Sequence, residues 1–137
     1  MRVEVAGVPA PQGSKRHVGN GRMVESSRAV GPWREAVRAE TQRACGQRFT
    51  EGQPVAVMID FRLPRPKSTP KRVGLPAKRP DLDKLVRAVL DGLVAGGALG
   101  DDGQVTWLEA RKKFAGERGP GCSIIVVWDD MWEDSDG

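Results

Sequence analysis

Between residues 78 and 105 the chain reads KRPDLDKLVRAVLDGLVAGGALGDDGQV, and no other stretch restricts the fold as tightly. Leu82, Leu85, Val86, Val89, Leu90 and Leu93 fall at offsets of 0, 3, 4, 7, 8 and 11, the spacing of one face of an α-helix. Asp83, Arg87 and Asp91 recur every fourth residue on the other side, beside Lys84, and form a polar stripe that cannot enter a core. Pro80 disfavours the α region for Arg79, so the chain should approach extended, with Asp81 at or just outside the N-cap and Asp83 in the first turn. Inside a helix, Asp81 and Asp83 would diverge by about 200°, whereas in an extended approach residues i and i+2 share a face. A helix that begins at this point therefore lets the D-L-D pair converge on one ion.

The helix carries the chain about 18 Å from Asp83 to Ala95, and Gly96 and Gly97 suit a helix stop. The residues from Gly96 to Asp102 span at most about 23 Å extended, so Asp101 or Asp102 can just return to the helix start. Three or more carboxylates with oxygen ligands only, beside Lys and Arg, suit Mg²⁺ or Mn²⁺ acting on phosphate. Each piece also has a plain structural reading. Asp at a helix N-terminus caps it and complements the dipole, and D-D-G is an ordinary turn.

K-R-P-D-L-D-K-L-x-R-A-x-L-D-G-L, followed after a short Gly-containing turn by L-G-D-D-G-Q-V, closely resembles the signature of the RusA family of Holliday-junction resolvases, commonly phage-encoded. That resemblance implies that Asp81, Asp83 and Asp102 are the catalytic, metal-binding carboxylates, and it also matches Asp91 and Asp101 to acidic positions, Asp101 as a further metal ligand. The family usually has Asn where this chain has Lys84, and a catalytically important Lys where it has Arg87. Arg keeps the positive charge as a planar, permanently protonated fork, which suits clamping phosphate. The resemblance further implies a homodimer acting on four-way DNA with Mg²⁺, for which Mn²⁺ may substitute. It also implies a phage or prophage source and work in the cytoplasm of a bacterial host.

With 137 residues the chain is one domain by size. No apolar run approaches 18 residues, and the N-terminus MRVEVAGVPAP lacks a signal-peptide core, so no membrane span and a cytoplasmic location are expected. Two cysteines, Cys45 and Cys122, read as small buried residues of a reducing compartment, and a lone His17 argues against structural zinc. Net charge is +4, but residues 129–137 hold five acids and no base, which leaves +9 on residues 1–128. A basic domain over 1–128 with an acidic, disordered tail over 129–137 suits a polyanionic partner.

Taken in order, residues 2–8 alternate as a first strand, and PAPQGSKRHVGNGR reads as a loop whose Lys15, Arg16 and Arg22 can meet phosphates. A helix follows to Cys45, its main part starting near Pro32, with Trp33 as a core anchor. Residues 54–63 alternate as a strand. PRPKSTPKRVGLPAKRP, with five prolines and six basic residues, must be a loop. A loop that long in a small domain usually means function or disorder, and Lys67, Lys71, Arg72, Lys78 and Arg79 would lead a DNA backbone towards Asp81, with Lys84 beyond. Residues 104–114 read as a strand with Val105 and Trp107 on one face, and CSIIVVW as a central strand buried on both sides. The order β-α-β-α-β-β defines an α/β (α+β) domain with two helices on one mixed sheet. Taken with the resemblance, the reading is a Mg²⁺-dependent, structure-selective endonuclease. A non-catalytic branched-DNA-binding protein and a metal-dependent phosphohydrolase of other specificity are the alternatives.

Overall fold

The computed structural model describes residues 1–13, 15–17, 23–25, 28–44, 46 and 48–130, with side chains left undescribed at 15–17 and 23–25. Its elements are β1 (Arg2–Ala6), β2 (Lys15–His17), β3 (Met23–Glu25), α1 (Val30–Ala44), β4 (Val55–Leu63), α2 (Leu82–Ala95), β5 (Val105–Phe114) and β6 (Gly121–Trp128). The order read from the sequence holds, and one correction is an added hairpin. Residues 15–17 pair antiparallel with 23–25 where a continuous loop was expected. Arg22, Cys45 and the tail beyond Asp130, for which the sequence carries expectations, lie outside the described residues.

One mixed sheet, in the order β1-β6-β4-β5, forms the centre of the domain. Its β1-β6 and β6-β4 pairs are antiparallel, while β4 and β5 run parallel because α2 carries the chain back between them. Both helices lie on one face. Val57, Ile59, Phe61, Ile124 and Val126 meet Val37, Leu85, Val89 and Leu93 in a common core. Each such side chain removed from water contributes about 1.5–3 kcal/mol. Because no helix among the described residues covers the opposite face, β6 alternates buried Cys122, Ile124 and Val126 with partly exposed Ser123, Ile125 and Val127. The apolar run CSIIVVW is thus central in the sheet but buried on one side only.

A register shift between Val55 and Ala56 changes β5 as well. Val105 lies opposite Val55 and Trp107 opposite Ala56, so these two residues face opposite sides instead of sharing one. Helix α1 begins at Val30, two residues before Pro32, since proline is tolerated in a first turn whose N–H groups have no helical acceptor. Trp33 is buried, as expected of an anchor.

Helix α2 crosses α1 at very short range. A Cβ added to Gly92 would stand 2.5 Å from Val37 Cγ1, and one on Gly96 would stand 2.8 Å from the Arg38 carbonyl oxygen. The helix ends in a Schellman turn. Gly97 takes a positive φ of 87°, its N–H reaches the Val94 carbonyl, and the Ala98 N–H reaches Leu93. No helix among the described residues is long and apolar enough to cross a membrane.

Candidate active site

Three exposed charged side chains mark the start of α2. Asp81 is the N-cap residue with extended backbone (φ −70°, ψ 136°), as expected after Pro80, yet its carboxylate makes no capping hydrogen bond. It stands 3.8 Å from Lys84 Nζ and is half exposed. Asp83, in the first turn, and Arg87, one turn later, are both exposed and have no ion-pair or hydrogen-bond partner among the described residues. The capping and bracing roles open to these residues are therefore unfilled. Asp81 does not cap, and Arg87 braces neither Asp83 nor Asp91. Asp91 instead meets Arg34 of α1 at 3.7 Å, and Arg34 also donates to Gln12 Oε1 at 3.0 Å.

The approach to this corner is pinned by a residue that sequence reading passed over. Lys112 Nζ, on β5, donates to the carbonyls of Lys78 (2.7 Å) and Pro80 (2.8 Å). Its only sequence signal was membership of the basic run that closes a strand, which reads equally well as solvated surface.

Residues 64–80, expected as a loop, contain neither helix nor strand. They are nevertheless held by their own bonds, Thr69 N–H to Pro66, Val73 N–H to Pro70 and Ala77 N–H to Leu75, each at 3.0 Å. Arg65 donates to the Pro70 carbonyl at 2.7 Å and lies over the Phe114 ring at 4.7 Å. Lys67, Lys71, Arg72, Lys78 and Arg79 are all exposed, with no acidic partner among the described residues. The backbone of Lys15 and Arg16 lies in β2, and their side chains fall outside the described residues.

Asp101 and Asp102 do not return to the start of α2 within one chain. They line a cavity of about 600 Å³ with Asp91, Val94 and Ala95, at the far end of the helix. Two measures of that separation agree. Asp83 and Ala95 are about 18 Å apart along the helix. Asp81 follows Pro80, tethered at Lys112, while Asp102 precedes Val105, and those two strand residues are about 23 Å apart along β5. The cause lies after the Schellman turn. Ala98 and Leu99 are drawn into the core, where Leu99 bridges Phe49 and the Phe49 N–H bonds the Ala98 carbonyl. The chain thus emerges at the wrong end for a short return. Among the described residues no group of three acidic, His or Cys side chains is placed to share a metal ion.

Asp101 and Asp102 also differ from each other. Asp101 caps the short 3-10 turn Asp102–Gln104, its Oδ2 accepting from the Gly103 N–H at 2.9 Å. Asp102 is exposed and has no partner among the described residues. Gln104 locks the turn from inside. Its Oε1 accepts from Gly100 and Asp101 N–H at 2.8 and 3.1 Å, while Nε2 donates to Thr50 and Gln53 carbonyls at 2.8 and 3.1 Å.

The open sheet face carries a second set of charges. Burial raises the Glu4 carboxyl, but a hydrogen bond from Ser123, the charge of Arg118 and hydrogen bonds from Arg2 and Arg118 outweigh it and hold Glu4 below its ordinary range. A hydrogen bond from Arg111 lowers Asp60 in the same way. Both are engaged ion pairs. Burial pushes the Cys122 thiol up to about 12, which leaves it inert as a nucleophile.

A divalent ion fits the α2 start on its donor chemistry. Mg²⁺ keeps several waters and commonly binds through one or two carboxylates plus substrate phosphate, and Asp81 and Asp83 are exposed carboxylates not consumed by structural bonds.

Comparison with known proteins gives one family. The model described as Endodeoxyribonuclease RusA matches residues 5–127, a span that includes α2, the basic loop and the Asp102 turn. A search of curated proteins finds no match.

Proposed function

Because the chain belongs to the endodeoxyribonuclease RusA family, we propose that it is a Mg²⁺-dependent, structure-selective endonuclease that resolves four-way DNA junctions by paired symmetric cuts as a homodimer. The observation that carries this reading is the set of exposed charges of Asp81, Asp83 and Arg87, engaged among the described residues only by the Asp81–Lys84 pair at 3.8 Å, at the end of a loop bearing six cations and no acid.

In this reading Asp81 and Asp83 hold the ion. Once bound, Mg²⁺, or Mn²⁺ in its place, supplies Lewis acidity that lowers the pKa of an attacking water and offsets charge on the phosphate. Arg87, one turn from Asp83, neutralises charge accumulating on the non-bridging oxygens, and Lys84 adds to that field. Lys67, Lys71, Arg72, Lys78 and Arg79 take neighbouring phosphates of the strand and hold it over the helix start. Lys15 and Arg16 are proposed as further phosphate contacts on the same grounds of charge.

Asp102 sits at the opposite end of α2 in its own chain, so its service to the same ion requires a second copy of the chain. A homodimer would provide one. It also suits a substrate whose two cut strands are related by symmetry. Asp101, whose carboxylate is engaged in the cap, contributes to the ligand set chiefly by holding Asp102 in place.

The decisive experiment incubates the protein with a mobile four-way junction and Mg²⁺, labelling each strand in turn. Paired nicks at symmetric positions, absent from linear duplex of the same sequence, are expected. Tight junction binding with no cleavage in any metal would refute the nuclease and leave a binding module.

A further inference from the structure

We propose that the proline-rich loop holds a receptacle for a single unstacked nucleobase beside the scissile phosphate, an inference that rests on the DNA-cleaving reading above. A cavity of about 360 Å³ lies under this loop. That falls in the range of roughly 300–1,000 Å³ typical of small-molecule clefts. Its floor is the buried Leu63 with Phe114, and its walls are Pro66, Pro70, Val73 and Leu75. Leu75 is 64% exposed, a large aliphatic group held at the mouth with little protein against it.

The surroundings select the occupant. Residues 64–80 carry Arg65, Lys67, Lys71, Arg72, Lys78 and Arg79 and no acid, so a mostly apolar cavity, with Ser68, Thr69, Lys78 and Arg79 in its lining, opens within a loop whose charges are all positive. A nucleotide strand has the complementary pattern, an anionic backbone bearing flat apolar bases. Cationic grooves with stacking surfaces bind single strands in this way. The face of Phe114 is already covered by the Arg65 guanidinium at 4.7 Å. A base would therefore pack on proline rings and aliphatic side chains, which distinguish poorly among the four bases. Cavity residues Lys78, Arg79 and Pro80 run directly into Asp81, so an inserted base lies next to the phosphate at the α2 start. Withdrawing a base from the stack costs least where stacking is already interrupted, as at a strand exchange point. The cavity would thereby favour branched over continuous duplex.

The test uses the full chain in EDTA with two single-stranded probes of six nucleotides and equal charge, one with all its bases and one wholly abasic. Wild type should bind the base-bearing probe about five- to 150-fold more tightly, the range expected for one stacked base. Val73→Trp, which fills the cavity, and Leu75→Ser, at its exposed mouth, should each reduce that preference below about twofold while leaving affinity for the abasic probe unchanged. Leu75 is outside the core, so its variant reports even if Val73→Trp misfolds. Equal affinity of wild type for both probes, or a preference that survives Leu75→Ser, overturns the proposal. Junction cleavage assayed alongside separates the two claims. Cleavage without base preference removes the receptacle alone, and base preference without cleavage removes the nuclease alone. No DNA binding at all removes both.

Discussion

Replacing Gln104 should uncouple the Asp102 turn from the sheet, and the structure supplies the size of the effect. The Gln104 side chain is 5% exposed and makes four short hydrogen bonds, accepting from Gly100 and Asp101 and donating to Thr50 and Gln53 carbonyls. Gln104→Leu keeps most of the volume but removes every partner. A neutral bond contributes about 1 kcal/mol net, and a buried group left unpaired costs about 1–3 kcal/mol. Thr50 retains a second donor, the Gln53 N–H at 3.1 Å, and the turn is near enough to solvent to admit water. The expected loss is therefore about 2–4 kcal/mol, or roughly 8–16 °C in Tm for a domain of this size. Gln104→Glu adds a control with a definite sign. Its second oxygen faces carbonyls and is tolerated only when protonated, so its folded-state pKa is raised above the ordinary value of about 4.3. A raised pKa means that stability is present at low pH and is lost as pH rises through the folded value. The Gln104→Glu deficit, measured against wild type at each pH, should be small near pH 4 and grow to about the Gln104→Leu level by pH 7.5. Thermal melts by circular dichroism across that range are sufficient. A Gln104→Leu Tm within about 2 °C of wild type, or a Gln104→Glu deficit independent of pH, would refute the reasoning.

Asp81→Asn, Asp83→Asn and Asp102→Asn should each abolish junction cleavage while leaving binding intact or tighter, since less negative charge faces the phosphates; gel shift and cleavage on one junction decide this. If Asp102 serves the ion of a second copy, mixing Asp83→Asn with Asp102→Asn protein should restore nicking, because a mixed dimer then contains one intact site; no recovery after refolding the mixture together would place all ligands within one chain. Arg87→Lys should keep substantial activity and Arg87→Ala lose it with an unchanged melt, as Arg87 has no structural partner among the described residues; a large drop in Tm for Arg87→Ala would contradict that role. Gly92→Ala should destabilise by about 1–3 kcal/mol despite alanine's better helix propensity, because the added methyl meets Val37 at 2.5 Å; a neutral or stabilising result in urea titration would show that the helices can part without cost.

What the sequence determined by itself was everything that depends on neighbours along the chain. The apolar spacing of 82–93 specified α2 and its exposed stripe, Pro80 specified the extended approach to Asp81, and Gly96-Gly97 specified the stop that became a Schellman turn. Alternation gave β1 and β4, and proline density gave the long loop. These signals are local because backbone sterics and helical or strand period act over a few residues. The tertiary structure decided where the ends of those elements meet. Chain length permitted Asp102 to return to Asp81, but the burial of Ala98 and Leu99 against Phe49 directed it elsewhere. Gly92 reads as an ordinary weak spot in a helix until Val37 of another helix is placed against it. Lys112 carries no local signature at all, since its partners lie more than thirty residues away in sequence, and Gln104, whose bonds to Gly100 and Asp101 are local, gives no sign of its bonds to Thr50 and Gln53 about fifty residues away. A bulge opposite Val55 put Val105 and Trp107 on different faces, and the packing of both described helices on one side of the sheet left half of β6 partly exposed. Such features follow from which surfaces compete for the core, and that competition is settled only when the whole chain has packed.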